Sequence, residues 1–157
     1  MQTYRVPQRQ VHVVVHMRQG VPLRGCLFLP EDGHGGFAQR LTDRLIEPGD
    51  RFLALDQDGK SRLISRDWIL RIDVHEEDEA ALEVEPAMCD PVEVSCHLAD
   101  GSVIEGAVAF AMPPGRQRLI DYINSVEGFV PLRRDGTLML IHIPHVIDWV
   151  CLEPVGQ

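Results

Sequence analysis

Histidines and cysteines are the residues of this chain that could bind a metal ion, and it holds seven and four of them. His12 and His16 lie four residues apart in a β-branched run, about 13 Å along a strand at the usual rise per residue. His142 and His145 lie three apart in another β-rich segment, so they point to opposite faces. No CxxC pair occurs, and three of the cysteines fall in apolar runs typical of buried strands. The sequence therefore predicts neither a metal site nor a cofactor.

Three arginines are the candidates for contact with an anion such as RNA phosphate. Arg40 and Arg44 have the spacing of one side of a helical turn, and Arg66 follows a later strand. Asp43 and Glu47 accompany the first two, which favours a charge-balanced surface turn over a phosphate clamp.

Catalysis is the function class with the least support. His16 and His97 hold matching positions in an internal repeat described below, as do Asp43 and Asp121. Such repeated residues are expected to be hydrogen-bonded structural groups. The chain contains no G-x-S-x-G, H-E-x-x-H, Walker or dinucleotide-binding motif. We therefore predict a protein without enzymatic activity.

The net charge of −9 is unevenly distributed along the 157 residues. Residues 73–90 hold eight acidic side chains and no Lys or Arg, whereas residues 1–72 carry +3 and residues 91–157 carry −4. Nucleic-acid binding needs a concentrated basic face, so nucleic acid is an unlikely partner. No apolar run approaches the roughly 20 residues of a membrane span, and the N-terminus lacks the apolar stretch of a secretory signal. These features predict a cytoplasmic protein without a membrane partner.

An internal repeat organises the chain. Residues 11–29 align with 92–110 at an offset of 81, the segments starting at Arg40 and Arg118 align at 78, and those starting at Phe52 and Phe129 align at 77. The offset changes only where loops are expected, which identifies a duplication.

Each repeat has the pattern of five short strands with one short helix or turn. Gly20 and Gly101 follow the first strand, where a hairpin turn calls for positive φ. Gly25 and Gly106 interrupt the second strand and mark a bend where another backbone comes close. The predicted fold is all-β, with two tandem five-stranded small barrels. The predicted boundaries are 1–76 for the first barrel, 77–90 for an acidic linker and 91–157 for the second barrel.

The hairpin motif of repeat B resembles the first signature of Sm-like (LSm) barrels, which are small SH3-like barrels. That motif reads Leu98-x-Asp100-Gly101, then Gly106-x-Val108 after four residues, and repeat A has a degraded version, Met17-x-Gln19-Gly20 followed by Gly25-x-Leu27. Repeat B also resembles uncharacterised bacterial families with a V-x-V…G…G…RL-D-x-(L/I)-N…F pattern.

The resemblance implies rings built by pairing of edge strands and, in many members, binding of single-stranded RNA. The family's Arg-Gly after the fourth strand is replaced in repeat B by the segment 141–144 (IHIP), and repeat A keeps only Arg66.

The fourth and fifth strands of each repeat are apolar and lack residues that would protect a sheet edge. We therefore predict an assembly or interaction module that oligomerises by strand edges, with these candidate edge residues: Leu63, Ile64, Ile69, Ile72, Leu140, Ile141, Ile147 and Trp149. A second copy of the chain is the predicted partner, and another protein is the other candidate. A trimer, forming a ring of six barrels, is favoured over a dimer. The alternative function is an RNA- or nucleotide-binding protein that uses the more basic first barrel.

Overall fold

The structure is a computed structural model that describes residues 8–30, 45, 49–74, 91–110 and 118–152. Repeat A contributes β1 (Gln8–Met17), β2 (Leu23–Pro30), β3 (Phe52–Gln57), β4 (Lys60–Ser65) and β5 (Ile69–Val74). Repeat B contributes β6 (Val92–Leu98), β7 (Val103–Val108), α1 (Leu119–Ser125), β8 (Phe129–Arg134), β9 (Thr137–His142) and β10 (Val146–Cys151). A 3-10 turn precedes the last strand of each repeat, at Arg66–Trp68 and Ile143–His145.

All ten strands belong to one open antiparallel sheet, in the order β10-β6-β7-β8-β9-β5-β1-β2-β3-β4. The all-β prediction is confirmed. The two repeats are joined by the pairing of β9 with β5, from Arg71 opposite Ile141 to Val74 opposite Leu138. Two separate barrels are therefore not confirmed, because hydrogen bonds between strands run unbroken from one repeat into the other. The predicted linker, 77–90, lies outside the described residues.

The duplication extends to the pairing of individual residues. Shifting the β3–β4 register by 77 residues reproduces that of β8–β9, from Phe52 opposite Ser65 to Phe129 opposite His142. Both repeats also have a register shift where their first strand meets their last. Hence residues 52–74 and 129–151 correspond at a constant offset of 77, and this correspondence allows the two repeats to be compared side chain by side chain.

The second strand of each repeat passes very close to the third strand at a glycine. A Cβ on Gly25 would lie 2.5 Å from the carbonyl oxygen of Asp56, and one on Gly106 would lie 3.1 Å from that of Arg133. β2 and β3 share a single residue pair, as do β7 and β8, so each sheet half turns sharply at this place. The hairpin glycines Gly20 and Gly101 have φ of +92° and +91°.

Two hydrophobic cores lie along the sheet, one for each repeat, and each contains residues from the other. The first core, built mainly by β1 to β5, also holds Phe129, Leu138 and Leu140 of repeat B. The second core, built by β6 to β10, also holds Leu70 of repeat A. The junction of β9 with β5 is thus a shared apolar interior as well as a backbone ladder.

Within the described parts of the chain, every helix is too short and too polar to cross a lipid bilayer.

Candidate assembly edges

β4 and β10 are the two ends of the ten-stranded sheet. Each is paired on one side only among the described strands, β4 with β3 and β10 with β6. An end strand directs a row of backbone N–H and C=O groups outward, and these groups can pair with another strand. The fold thus places two open edges at opposite ends of the described sheet.

Large apolar side chains are exposed at both open edges. Leu63 on β4 and Ile147 on β10 are 67% and 68% exposed, and Phe52 on the neighbouring β3 is 57% exposed. Val150 of β10 is exposed as well, while Trp149 is partly buried against the second core. Exposed apolar residues grouped at a strand edge mark an interaction surface more often than isolated ones do.

The equivalents of these residues in the other repeat are buried at the β9–β5 junction. Phe52 corresponds to Phe129, which is 4% exposed, and Leu63 corresponds to Leu140, which is fully buried. Ile147 corresponds to Leu70, which is 1% exposed and belongs to the core of the other repeat. The open edges therefore carry the same kind of side chains that the internal junction covers.

Charge differs in sign between the two edges. β4 contributes Lys60 and Arg62, and the Arg62 Nε–H donates to Gln57 Oε1 over 2.9 Å. β10 contributes Asp148, whose carboxylate is hydrogen-bonded to the Nδ1 atom of His97. One end is basic and the other acidic, so two unlike edges attract and two like edges repel.

The other predicted edge residues lie at the internal junction. Ile69, Ile72, Leu140 and Ile141 belong to β5 and β9, and all four are fully buried. Of the predicted set, Leu63, Ile147 and Trp149 lie on the open edges, while Ile64 of β4 points into the first core. Pairing between the repeats thus occupies β5 and β9 and leaves β4 and β10 as the end strands.

Of the three candidate anion contacts, Arg66 is the one that the structure describes. Arg66 Nη1 donates to the backbone carbonyl of Leu45 over 3.1 Å, and its own N–H donates to Arg51 O. Arg40 and Arg44 lie outside the described residues. Arg66 therefore ties the 3-10 turn of repeat A to its own repeat.

The repeated histidines and the acid of α1 make structural contacts. His16 Nε2 lies 2.9 Å from an Asp73 carboxylate oxygen and 3.2 Å from an Arg71 nitrogen. In repeat B, His97 pairs with Asp148, and Arg118 pairs with Asp121 over 3.1 Å. Asp43, the equivalent of Asp121, lies outside the described residues. In each repeat the histidine bonds the first strand to the last.

One row of three polar side chains could not be predicted from the sequence, because its members are far apart in the chain. His12, Cys26 and Asp56 face one another across β1, β2 and β3 and line an open cleft of about 440 Å³. Cys26 stands between the other two in this row.

The surroundings of the Cys96 thiol suppress its reactivity. Burial, together with the negative charge of Asp148, raises the pKa of Cys96 to about 12, which keeps that thiol protonated and unreactive. In the part of the chain that the structure describes, no three His, Cys, Asp or Glu side chains are placed to hold a metal ion.

Comparisons with protein-family models, with curated proteins and with solved structures found no match to this chain.

Proposed function

We propose that the chain is a non-enzymatic assembly module in which copies join end to end through β4 of one copy and β10 of the next. The observation that carries the proposal is the exposure of Phe52, Leu63 and Ile147, whose equivalents are buried between the repeats. Burying an apolar side chain of this size contributes about 1.5–3 kcal/mol. Three such residues at one joint contribute about 4.5–9 kcal/mol, and backbone pairing between β4 and β10 would add to this against the cost of association.

Each repeat is proposed to be a small, strongly bent barrel of the Sm-like type that is left open toward its neighbour. Separate cores for the two repeats support this, as does the close passage of β3 over Gly25 and of β8 over Gly106. In this view each barrel is completed by the next, first within the chain and then between chains.

The internal junction provides the register for the joint between copies. Within the chain, residues 71–74 of β5 pair with residues 141–138 of β9. Adding 77 to the first range and subtracting 77 from the second gives the joint between copies, in which residues 148–151 of β10 would pair with residues 64–61 of β4. Leu63 would then face Trp149 of the second copy, and Ser61 would face its Cys151. The basic β4 and the acidic β10 favour this pairing over contacts between two like edges.

A joint between two different edges is heterologous, so the assembly closes into a ring or continues as a filament. Three chains would give a ring of six barrels, and a dimer is the next choice. The mass in solution distinguishes these outcomes.

Light scattering of the purified chain at tens of micromolar tests the proposal. We expect the mass of a trimer, and we expect Leu63→Glu or Ile147→Lys to weaken association at least about 30-fold, the equivalent of about 2 kcal/mol. Val21→Glu is the matched control, because Val21 is an exposed valine in the turn between β1 and β2 and belongs to neither end strand. A monomeric mass for the unmodified chain would contradict the proposal, as would equal effects of all three substitutions.

A disulfide tests the register independently. Ser61→Cys should form a bond with Cys151 of the next copy under mild oxidation, since directly opposed residues in a sheet lie within the Cα separation of a disulfide. Arg62→Cys is the control, because neighbouring residues of a strand point to opposite faces. Cys89→Ser in both proteins removes a thiol outside the described residues. Equal cross-linking of the two variants, or none, would reject the register.

A further inference from the structure

Two histidines of repeat B form side-chain hydrogen bonds to the backbone of repeat A. His142 Nδ1 donates to the carbonyl of Ile69 over 2.8 Å, and His145 Nε2 donates to the carbonyl of Asp67. Both acceptors lie just before the residues of β5 that pair with β9. The histidines thus extend the junction beyond the four residue pairs of the backbone ladder.

The His142 ring lies in the interior beside two other rings. It is buried, and it stacks face to face on Phe129 with ring centroids 4.4 Å apart and planes inclined by 10°. The ring of His145 lies 5.2 Å away. The charged groups that act on His142 are Arg66 and Asp67, from the 3-10 turn of repeat A.

A proton on His142 would therefore create a cation in an apolar place. Burial lowers the pKa of His142 from its ordinary value, and His145 and Arg66 lower it further. The hydrogen bond to Ile69 and the charge of Asp67 oppose the shift without reversing it. Opening the junction would return the ring to water and remove this penalty.

We propose that the contact between the two repeats is an acid-sensitive joint, in which a proton on His142 loosens β9 from β5 and lets the repeats separate locally. This inference does not rest on the proposed function, because it concerns a contact within one chain.

The joint between copies would lack both of these histidines. At the offset of 77, Ser65 stands in place of His142 and Trp68 in place of His145. Neither side chain gains a charge on acidification. Acid would thus act on the junction within the chain and leave the open edge of β4 unchanged.

The direction of the effect follows from the lowered pKa. The opened junction binds a proton more readily than the closed one, so closure is strongest above the ordinary histidine pKa of about 6.5 and weakens as the pH falls below it. The opening equilibrium constant rises by up to about tenfold for each pH unit, until the pKa of the closed state is reached.

Hydrogen exchange of the full chain between pH 7.5 and 5.5, corrected for intrinsic amide rates, measures this constant. We expect amides of residues 71–74 and 138–141 to open more often at pH 5.5, by up to about tenfold, and amides of residues 103–108 to respond less.

Variants that keep the hydrogen bonds but cannot be protonated isolate the cause. An asparagine amide can replace Nδ1 and a glutamine amide can replace Nε2, so His142→Asn with His145→Gln should abolish the pH response at the junction. His97→Asn is the matched control, since His97 also bonds through Nδ1 but its partner, Asp148, belongs to its own repeat, and this variant should respond as the unmodified chain does. A pH-independent opening constant in the unmodified chain would overturn the proposal, and so would an undiminished response in the double variant.

Discussion

Gly25 and Gly106 occupy equivalent places, but the space around them differs. A Cβ at position 25 would lie 2.5 Å from Asp56 O and 2.8 Å from Leu55 Cγ, whereas the nearest atom to a Cβ at position 106 is 3.1 Å away. We expect Gly25→Ala to lower the free energy of unfolding by about 1–3 kcal/mol more than Gly106→Ala, because the backbone oxygen beside position 25 is too close for any Cβ and must move, whereas the one beside position 106 needs to give only slightly.

Urea denaturation of the two single variants measures this difference, and each repeat serves as the other's control. Equal losses would mean that the close approach of β2 to β3 does not decide the stability at this position.

The close approach of another strand at these glycines could be predicted from the sequence, because the internal repeat places both in the middle of an apolar strand. The contacts of His142 and His145 were not, because their acceptors lie 73 and 78 residues away in the other repeat. Spacing along a strand predicts which face of the sheet a residue occupies. It does not predict which distant strand will pair with that strand.

Leu140 and Leu63 allow the effect of the same substitution on an internal strand and on an end strand to be compared. Leu140 of β9 is fully buried in the first core, while Leu63 of β4 is its exposed equivalent. Leu140→Ala should lower the free energy of unfolding by about 2–5 kcal/mol. Leu63→Ala should change it by less than about 0.5 kcal/mol in dilute solution, where copies are separate, and should weaken association at higher concentration.

Thermal unfolding at two protein concentrations separates these effects. If Leu63→Ala destabilised the chain as strongly at low as at high concentration, Leu63 would have a partner within its own chain.

The strands themselves could be predicted from alternating apolar residues. The choice of which strands pair between the repeats could not be made from that pattern, because all four candidate strands are apolar. A difference in charge does distinguish them: β4 has Lys60 and Arg62 where β9 has Thr137 and Met139. The more apolar of the two fourth strands is the one that the shared core covers.

The whole molecule is held together by contacts that cross from one repeat to the other. Phe129 packs into the first core and Leu70 into the second, so each core is completed by a residue of the other repeat. If a protease site is inserted within residues 77–90 and cleaved, we expect the two pieces to elute together at neutral pH and to separate only in denaturant.

Size-exclusion chromatography before and after cleavage, with the uncut protein as the reference, gives the result. Pieces that separate at once in native buffer would show that the strand pairing and the exchanged side chains are too weak to join the repeats.

The pairing of β9 with β5 also has a consequence for how assembly depends on protein concentration. Because it joins parts of one chain, it forms at an effective concentration set by the tether and does not respond to dilution. In a ring of six barrels only every second joint would be bimolecular. The yield of closed rings would then vary with about the third power of the chain concentration, against the sixth power for a ring of unlinked single repeats. Duplication within one chain would in this way let complete rings persist at expression levels where rings of separate barrels would fall apart.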